Sequence, residues 1–302
     1  MDKKYAFGVD IGGTTIKIGL LTNDGEVVYE TAIDTDTSDS GKNVLPDIAA
    51  KIAEIIKDTN TPKEMIAGIG MGVPGAVNSK GVVNKLVNIG WGVVDAKSDM
   101  EAITGMRVEV GNDANVAALG EAWKGAAEGY DDVVMVTLGT GVGGGVVSGG
   151  RLIAGAHGSG GEIGHIFVNP DEIDKCGCGN QGCLEQYASA TGIVRFAKKA
   201  GMDVREAKDV FDLARKNDLK AHKVIDQFAT ILGESLARVS CVADPEIFVI
   251  GGGVCASADL FLYIVEQAFR RHCFHAARET KFVIAQLGNK AGIFGAAKMV
   301  LD

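Results

Sequence analysis

A chain of 302 residues, 46% hydrophobic and 23% charged, has the make-up of a soluble globular protein with room for two domains. Its formal charge of −9, carried without any basic block, argues against non-specific binding to nucleic acid or to an anionic membrane. No apolar run is long enough for a transmembrane helix, and Met1-Asp2-Lys3-Lys4 leads straight into Tyr5–Val9 with no signal-peptide pattern, so the expected location is the cytoplasm.

The opening segment predicts a strand over Tyr5–Asp10, a turn at Gly12-Gly13-Thr14 and a second strand over Thr15–Leu21. Asn23-Asp24-Gly25 is a hairpin turn that leads into a third strand, Glu26–Ala32. After a polar loop, Val44–Lys57 shows helical spacing of apolar residues, and Ile66–Met71 reads as a buried strand. Arg107–Val110 predicts a strand ending at Gly111, followed by a helix over Asn115–Lys124. From Asp132 the opening pattern returns, with strand Val133–Leu138, turn Gly139-Thr140-Gly141, strand Val142–Val147, turn Ser148-Gly149-Gly150 and a third strand from Arg151. Asp10-Ile-Gly-Gly-Thr lies over Thr137-Leu-Gly-Thr-Gly, which points to duplicated halves rather than to a solenoid. Helices are expected over Leu184–Ala200, Val204–Lys216, Ala221–Ala243 and Asp259–Cys273. Strands are expected over Ile247–Ile250 and Phe282–Leu287, and a terminal helix from Gly292. This order suggests two α/β domains facing a cleft, where ligands usually sit. The 42 glycines cluster after apolar runs and read as turn residues.

Three glycine turns follow apolar strands: Gly12-Gly13-Thr14-Thr15, Gly139-Thr140-Gly141 and Gly251-Gly252-Gly253. Glycine lets the backbone approach a ligand closely, and successive N–H groups make an anion site to which threonine hydroxyls add donors. A lone turn of this kind is more often a plain bend; three together, two carrying threonine, point to a nucleotide phosphate chain. Gly139-x-Gly141-x-x-Gly144 and Gly70-x-Gly72-x-x-Gly75 match the dinucleotide fingerprint in letters only. Each runs into another turn rather than a helix, so nicotinamide binding is not expected. Asp10 ends a buried strand just before the first turn. Such an aspartate can simply initiate a turn. Beside phosphate-binding glycines it also suits Mg²⁺ held through water.

Asn112 and Asp113 stand where a strand gives way to a helix. Asp113 there can be a helix cap. It also lies at the C-terminal end of a strand, where sites in α/β folds gather, and can accept the proton of a hydroxyl attacking phosphorus.

Cys176, Cys178 and Cys183 crowd into eight residues, with His165 upstream and Glu162 and Glu185 close by in sequence. Disulfides are the competing reading for an even count of six cysteines. With no sign of an oxidising compartment, and with only Gly177 between the first two thiols, a Cys₃His zinc site is the better one. Cys241, Cys255 and Cys273 are scattered among apolar residues and read as small buried hydrophobes.

Taken together these motifs resemble the ROK family of bacterial sugar kinases over nearly the whole chain. The resemblance rests on Asp10-Ile-Gly-Gly-Thr-Thr-Ile-Lys17, Gly72-Val-Pro-Gly75, Asn88-Ile-Gly-Trp91, Asn112-Asp113-Ala-Asn115 and Leu138-Gly-Thr-Gly-Val-Gly-Gly144. Two more motifs are highly specific: Gly161-Glu-Ile-Gly-His165 and Cys176-Gly-Cys-Gly-Asn-Gln-Gly-Cys-Leu-Glu185. It implies two actin-like ATPase (ribonuclease H-like) α/β domains flanking a cleft. The expected bounds are 1–112, with a helix at about 292–302 packing back on it, and 113–291 with a structural zinc.

It further implies ATP with Mg²⁺, a hexose phosphorylated on its 6-hydroxyl, and Asp113 as the base. Gly75, Asn88, Asn112, Asp113, Glu162, His165 and Glu185 would surround the sugar. Gly12, Gly13, Thr14, Thr15 and Lys17, with Thr137, Gly139, Thr140 and Gly141, would hold phosphates. Gly251, Gly252 and Gly253 would lie near the adenosine, Asp10 at the magnesium, and His165, Cys176, Cys178 and Cys183 on the zinc. The Asn88-Ile-Gly-Trp91 segment and the Glu162, His165 and Glu185 set look like those of the family's glucokinases, and the resemblance suggests a homodimer. Fructose, allose and N-acetylmannosamine kinases share most of these residues. Family members that act as repressors carry a DNA-binding segment ahead of the kinase-like part, for which the position of Asp10 leaves no room, so a sugar sensor is the lesser expectation.

Overall fold

The computed structural model describes residues 4–84, 86 and 88–301. Residues 1–3 and 302, the outer ends of the expected domains, lie outside the described residues. In chain order the elements are β1 (Tyr5–Ile11), β2 (Thr15–Thr22), β3 (Val27–Asp34), α1 (Val44–Thr59), β4 (Ile66–Val73), α2 (Ala96–Thr104), β5 (Val108–Asn112) and α3 (Asp113–Lys124). There follow β6 (Val133–Leu138), β7 (Val142–Ser148), β8 (Arg151–Leu152), α4 (Glu185–Ala188), α5 (Ala190–Lys199), α6 (Ala207–Arg215) and α7 (Leu219–Ala243). The chain closes with β9 (Ile247–Gly251), α8 (Leu262–His272), β10 (Lys281–Ile284) and α9 (Ala291–Leu301).

The strands form two five-stranded sheets, ordered β3-β2-β1-β4-β5 and β8-β7-β6-β9-β10. The two orders match place for place, so the internal likeness in the sequence is a likeness of topology. In the first sheet β1 runs antiparallel to β2 and parallel to β4. In the second, β9 runs parallel to both β6 and β10.

Packing divides the chain into two compact units: residues 1–129, 145–161 and 286–302, and residues 130–144 and 162–285. Helix α3 thus falls in the first unit, past the bound expected at residue 112, because it packs on α9. In the first unit α1 lays Val44, Leu45, Ile48, Ile52 and Ile55 on one face of the sheet, against Phe7, Val9, Ile16 and Ile18. On the other face Ala6 and Leu21 meet Ile293, Phe294, Ala297 and Val300 of α9. The core of the second unit is aromatic. Phe211, Phe228 and Phe261 meet mutually at centroid distances of 5.2–6.2 Å, and Phe248, Phe269 and Phe282 at 5.0–5.5 Å.

Several glycines read as turn residues are instead packing residues inside regular elements. A Cβ on Gly8 would lie 2.0 Å from the carbonyl oxygen of Ile293, and one on Gly70 1.7 Å from that of Ala296. On Gly120 it would lie 2.2 Å from the Ala291 oxygen, and on Gly295 1.7 Å from the Val116 oxygen. Helix α9 is therefore seated backbone to backbone against β1, β4 and α3.

Three further differences have local causes. The single helix expected over Leu184–Ala200 is broken at Ser189, whose extended backbone starts α5 and whose Oγ accepts the Gly192 N–H at 3.0 Å. The strand expected to reach Leu287 stops at Ile284, because the N–H groups of Gln286 and Leu287 donate to the carboxylate of Glu121. The unexpected α2 is weakly amphipathic, but its Asp95 cap accepts the Ser98 N–H at 3.1 Å and Gly105 ends it in the left-handed conformation.

The glycine packing gives a test with opposite signs. In a solvated helix Gly→Ala stabilises by about 1 kcal/mol. Gly295→Ala should instead destabilise the protein by about 3 kcal/mol or more in urea unfolding, since the new methyl overlaps a backbone oxygen. Equal or higher stability would refute the close seating of α9.

Candidate active site

In the first unit the candidate residues gather at the C-terminal ends of β1 and β5 and the turns beside them. The Gly12 N–H donates to the Thr15 carbonyl at 3.0 Å, closing the first glycine turn. Thr35 Oγ donates to the Gly12 carbonyl at 2.7 Å and holds that turn from outside. Gly13, Thr14 and Thr15 are exposed. Asp10 receives Lys17 Nζ at 3.3 Å, and Lys17 also donates to the Asn289 carbonyl at 3.1 Å. A Cβ on Gly292 would sit 2.8 Å from Asp10 Cγ, so the Asp10 carboxylate is cradled against the first turn of α9. One partly exposed carboxylate beside a phosphate-type turn suits magnesium, which keeps most of its waters.

Asn88 stands beside this turn, its Cβ 3.5 Å from where Gly13 would carry its own. The neighbouring residues explain why it stays there. Ile89 and Trp91 are buried in the core, and Trp91 Nε1 donates to the Gly41 carbonyl at 3.0 Å. At β5, Asn112 rather than Asp113 caps α3: its Oδ1 accepts the N–H groups of Ala114 and Asn115 at 3.0 and 3.1 Å. Its Nδ2 donates to the Gly75 carbonyl at 3.2 Å, which brings the Gly72–Gly75 segment to the same spot. Asp113 is the first residue of α3, with Oδ1 on the Ala114 N–H at 2.8 Å.

In the second unit the turn after β6 is closed by the Gly139 N–H on the Gly141 carbonyl at 3.0 Å. Gly251 pairs with Thr137 in the ladder, which sets the third glycine turn beside the second. Gly252 has φ +89° and no room for a side chain, since a Cβ would lie 2.4 Å from the Leu138 carbonyl oxygen. Gly139, Thr140, Gly253 and Val254 line a cavity of about 320 Å³ together with Phe211 and Lys208, an apolar wall and a cation suited to a nucleotide.

Sequence reasoning missed what the break at Ser189 does. The Ala190 N–H donates to the Gly139 carbonyl at 2.8 Å, and Thr191 Oγ to the Thr140 carbonyl at 2.8 Å. The start of α5 is thereby fastened to the second glycine turn. The signal was Ser189-Ala-Thr-Gly192, a cap sequence hidden inside an apolar helical pattern.

The His165, Cys176, Cys178 and Cys183 ligand atoms all lie within 4.8 Å of one another. Cys178 Sγ and Cys183 Sγ are 3.6 Å apart, and Cys176 Sγ lies 3.7 Å from His165 Nδ1. A tetrahedron with zinc–sulfur bonds of about 2.3 Å has edges of about 3.8 Å, so the set fits zinc with every position filled by protein. Burial pushes the Cys183 thiol up to about 12 and raises that of Cys176, while the Asn180 N–H lowers that of Cys178. A cation is what stabilises all three as thiolates.

Two candidate sugar residues are fixed by this cluster. His165 turns Nδ1 to the cysteines and leaves Nε2 facing Glu162, 3.8 Å away. Glu185 accepts the Val142 N–H at 3.1 Å through one carboxylate oxygen, and its other lies 3.5 Å from Cys176 Sγ. The carboxylate thus joins the second glycine turn to the metal loop. A cavity of about 410 Å³ is lined by Thr140, Gly141, Cys176, Glu185, Thr191 and Arg195.

The metal loop has a brace of its own. Glu172 is buried and receives Arg195 at 2.5 Å and the Tyr187 hydroxyl, while Arg195 lies over the Tyr187 ring at 5.0 Å. The Arg195 guanidinium holds the Glu172 carboxyl down at about 2, against the opposing effect of burial.

The matching family model covers residues 6–302, and its family is ROK. The chain belongs to the ROK family. It is 40% identical to a glucokinase of Halalkalibacterium halodurans, over 99% of this chain and 96% of that protein. Among solved structures it is similar to a ROK hexokinase from Thermus thermophilus, with 33% identity, a TM-score of 0.86, and coverage of 97% and 96% of the two chains. A ROK family glucokinase from Streptomyces griseus in complex with glucose and AMPPNP is similar at 36% identity and TM-score 0.75, over 98% of each chain. The two-domain α/β sugar-kinase fold of the family is the fold of this chain.

The Glu172 brace predicts an acid limb of stability. Its folded carboxyl titrates below the ordinary value of 4.5, so the contribution is complete above that pH and is lost as pH falls towards about 2. Glu172→Gln should flatten this part of the unfolding profile, followed by fluorescence. An unchanged slope there would mean that Glu172 carries no such linkage.

Proposed function

We propose that the protein transfers the γ-phosphoryl group of ATP to the 6-hydroxyl of a hexose, and that this hexose is glucose. The observation that carries the reading is the Asn112-Asp113 pair. Asn112 does the capping, and Asp113 follows it as the first residue of α3, at the C-terminal end of β5. Full-length likeness to a glucokinase and to a ROK glucokinase that binds glucose and AMPPNP supports the sugar and the nucleotide.

Phosphoryl transfer asks the protein mainly for position and charge neutralisation. In this reading Gly12, Gly13, Thr14, Thr15 and Lys17 bind phosphate oxygens, as do Thr137, Gly139, Thr140 and Gly141. Gly251, Gly252 and Gly253 border the adenosine. Asp10 would hold magnesium, which when bound would supply charge neutralisation at the phosphates. Gly75, Asn88, Asn112, Glu162, His165 and Glu185 fix the sugar hydroxyls. Asp113 takes the proton of the 6-hydroxyl as oxygen attacks phosphorus and ADP leaves. An ordinary aspartate suffices, because the proton moves as the P–O bond forms.

The zinc has no part in the chemistry. With all four positions taken by protein it locks the loop from His165 to Cys183, and with it His165 and Glu185. The reading also places the protein in the cytoplasm as a homodimer. Six cysteines free of disulfides, three of them in a metal set, support the compartment.

Two outcomes are expected. Asp113→Asn should lower kcat by roughly 10²–10⁴-fold in a coupled ADP-release assay, with only a modest change in glucose Kd. Near-parental turnover would remove Asp113 as the base. Cys178→Ser should lose zinc by metal analysis and weaken hexose binding by about tenfold, with ATP binding kept. Unchanged hexose affinity in a folded, zinc-free variant would separate the metal from the sugar site.

A further inference from the structure

The chain passes between its two units four times, at 129/130, 144/145, 161/162 and 285/286. On the first-unit side every crossing is fastened to one helix, α3. At the first, Glu121 Oε2 accepts the Ala126 N–H at 2.8 Å. At the second, Gly145 lies flush on the helix, since a Cβ there would be 2.6 Å from Ala118 Cβ and 3.0 Å from the Ala114 carbonyl oxygen. At the third, Asn115 Nδ2 donates to the Gly160 carbonyl at 2.9 Å. At the fourth, Glu121 accepts the N–H groups of Gln286 and Leu287 at 3.1 and 2.8 Å.

Two side chains make these polar fastenings, and both are costly to place where they are. Glu121 is fully buried, and the partners found for its carboxylate are three backbone N–H groups. Asn115 is 3% exposed, and its Oδ1 is buried with no hydrogen-bond partner among the described residues. A buried carboxylate shared by segments 160 residues apart, and a half-satisfied amide, are poor choices for stability alone. Each holds a crossing at a set position along the helix that begins with Asp113.

We propose that Asn115 and Glu121 are positioning residues of the phosphoryl transfer. They hold three of the four exits of the first unit in register with Asp113. The inference rests on the reading of Asp113 as the base and adds to it. Glu162 follows Gly160 by two residues, so the Asn115–Gly160 bond sets where the chain towards the sugar residues begins. Neither side chain belongs to the phosphate turns or to the sugar set, so their loss should spare binding and slow turnover.

The test is Glu121→Gln and Asn115→Ala, each measured for glucose Kd, Kd of a non-hydrolysable ATP analogue, kcat and its pH profile. In both, each ligand alone should bind within about twofold of the parent, while kcat falls by about tenfold or more. The pH profile should keep its shape, because Asp113 is intact. Turnover within about twofold of the parent in both folded variants would overturn the proposal.

Should either variant fail to fold, hydrogen exchange on the unaltered protein decides. The N–H groups of Ala126, Gln286 and Leu287 should exchange as slowly as the interior of α3, with and without glucose. Exchange at the rate of exposed loops would overturn the proposal. A parent with no activity on any hexose would refute the kinase reading instead, and the exchange measurement would still decide the clamp.

Discussion

The backbone contact between α9 and its surroundings is the constraint on which the rest of the first unit depends. Gly8, Gly70, Gly120 and Gly295 leave no space for a methyl group where α9 meets β1, β4 and α3. Interiors are close-packed, so a helix seated this way has a single register. The register matters because both candidate carboxylates are referred to it. Asp10 rests against Gly292 at the start of α9, and Asp113 begins the helix that packs along it. The carboxylate assigned to magnesium and the one assigned to the proton are thus positioned by the same packed element rather than by flexible loops, as a reaction governed by geometry requires.

The second unit solves a similar problem with a metal and a buried ion pair. A long loop rich in glycine and polar residues has too little apolar surface to hold itself rigid. The four side chains gathered as a zinc-type ligand set, the Glu172–Arg195 pair and the Tyr187 ring are the features that would fix it. Glu185 then ties this loop to the second glycine turn through the Val142 N–H. A side chain proposed to bind the sugar is therefore bonded next to the turn proposed to bind phosphate.

Much of this was legible in the sequence, for identifiable reasons. Strands β1 to β3 and β6 to β8 stood out because apolar runs alternate with glycine and asparagine turns, and their repetition pointed to duplicated halves, which the matching sheet orders express. Cys176, Cys178, Cys183 and His165 stood out because ligand chemistry depends on residue type and spacing, which a sequence displays directly. The packing glycines did not, since Gly70 in a strand and Gly25 in a turn are the same letter. The break at Ser189 was hidden by the apolar pattern running through it, and nothing in the sequence around Glu121 marks it as buried. In each case the deciding partner lies far along the chain: Gly139 for Ala190, Gln286 and Leu287 for Glu121.

These constraints converge on a transfer chemistry with little covalent work for the protein, in which position and charge decide the rate. The most direct test is the identity of the product. The protein should be incubated with ATP, Mg²⁺ and glucose labelled with carbon-13 at C6, and followed by phosphorus and carbon NMR. The account predicts a single sugar phosphate, formed in step with ADP, whose phosphorus couples to the labelled C6. ATP consumed without that coupling, or phosphate appearing on another sugar oxygen, would contradict it.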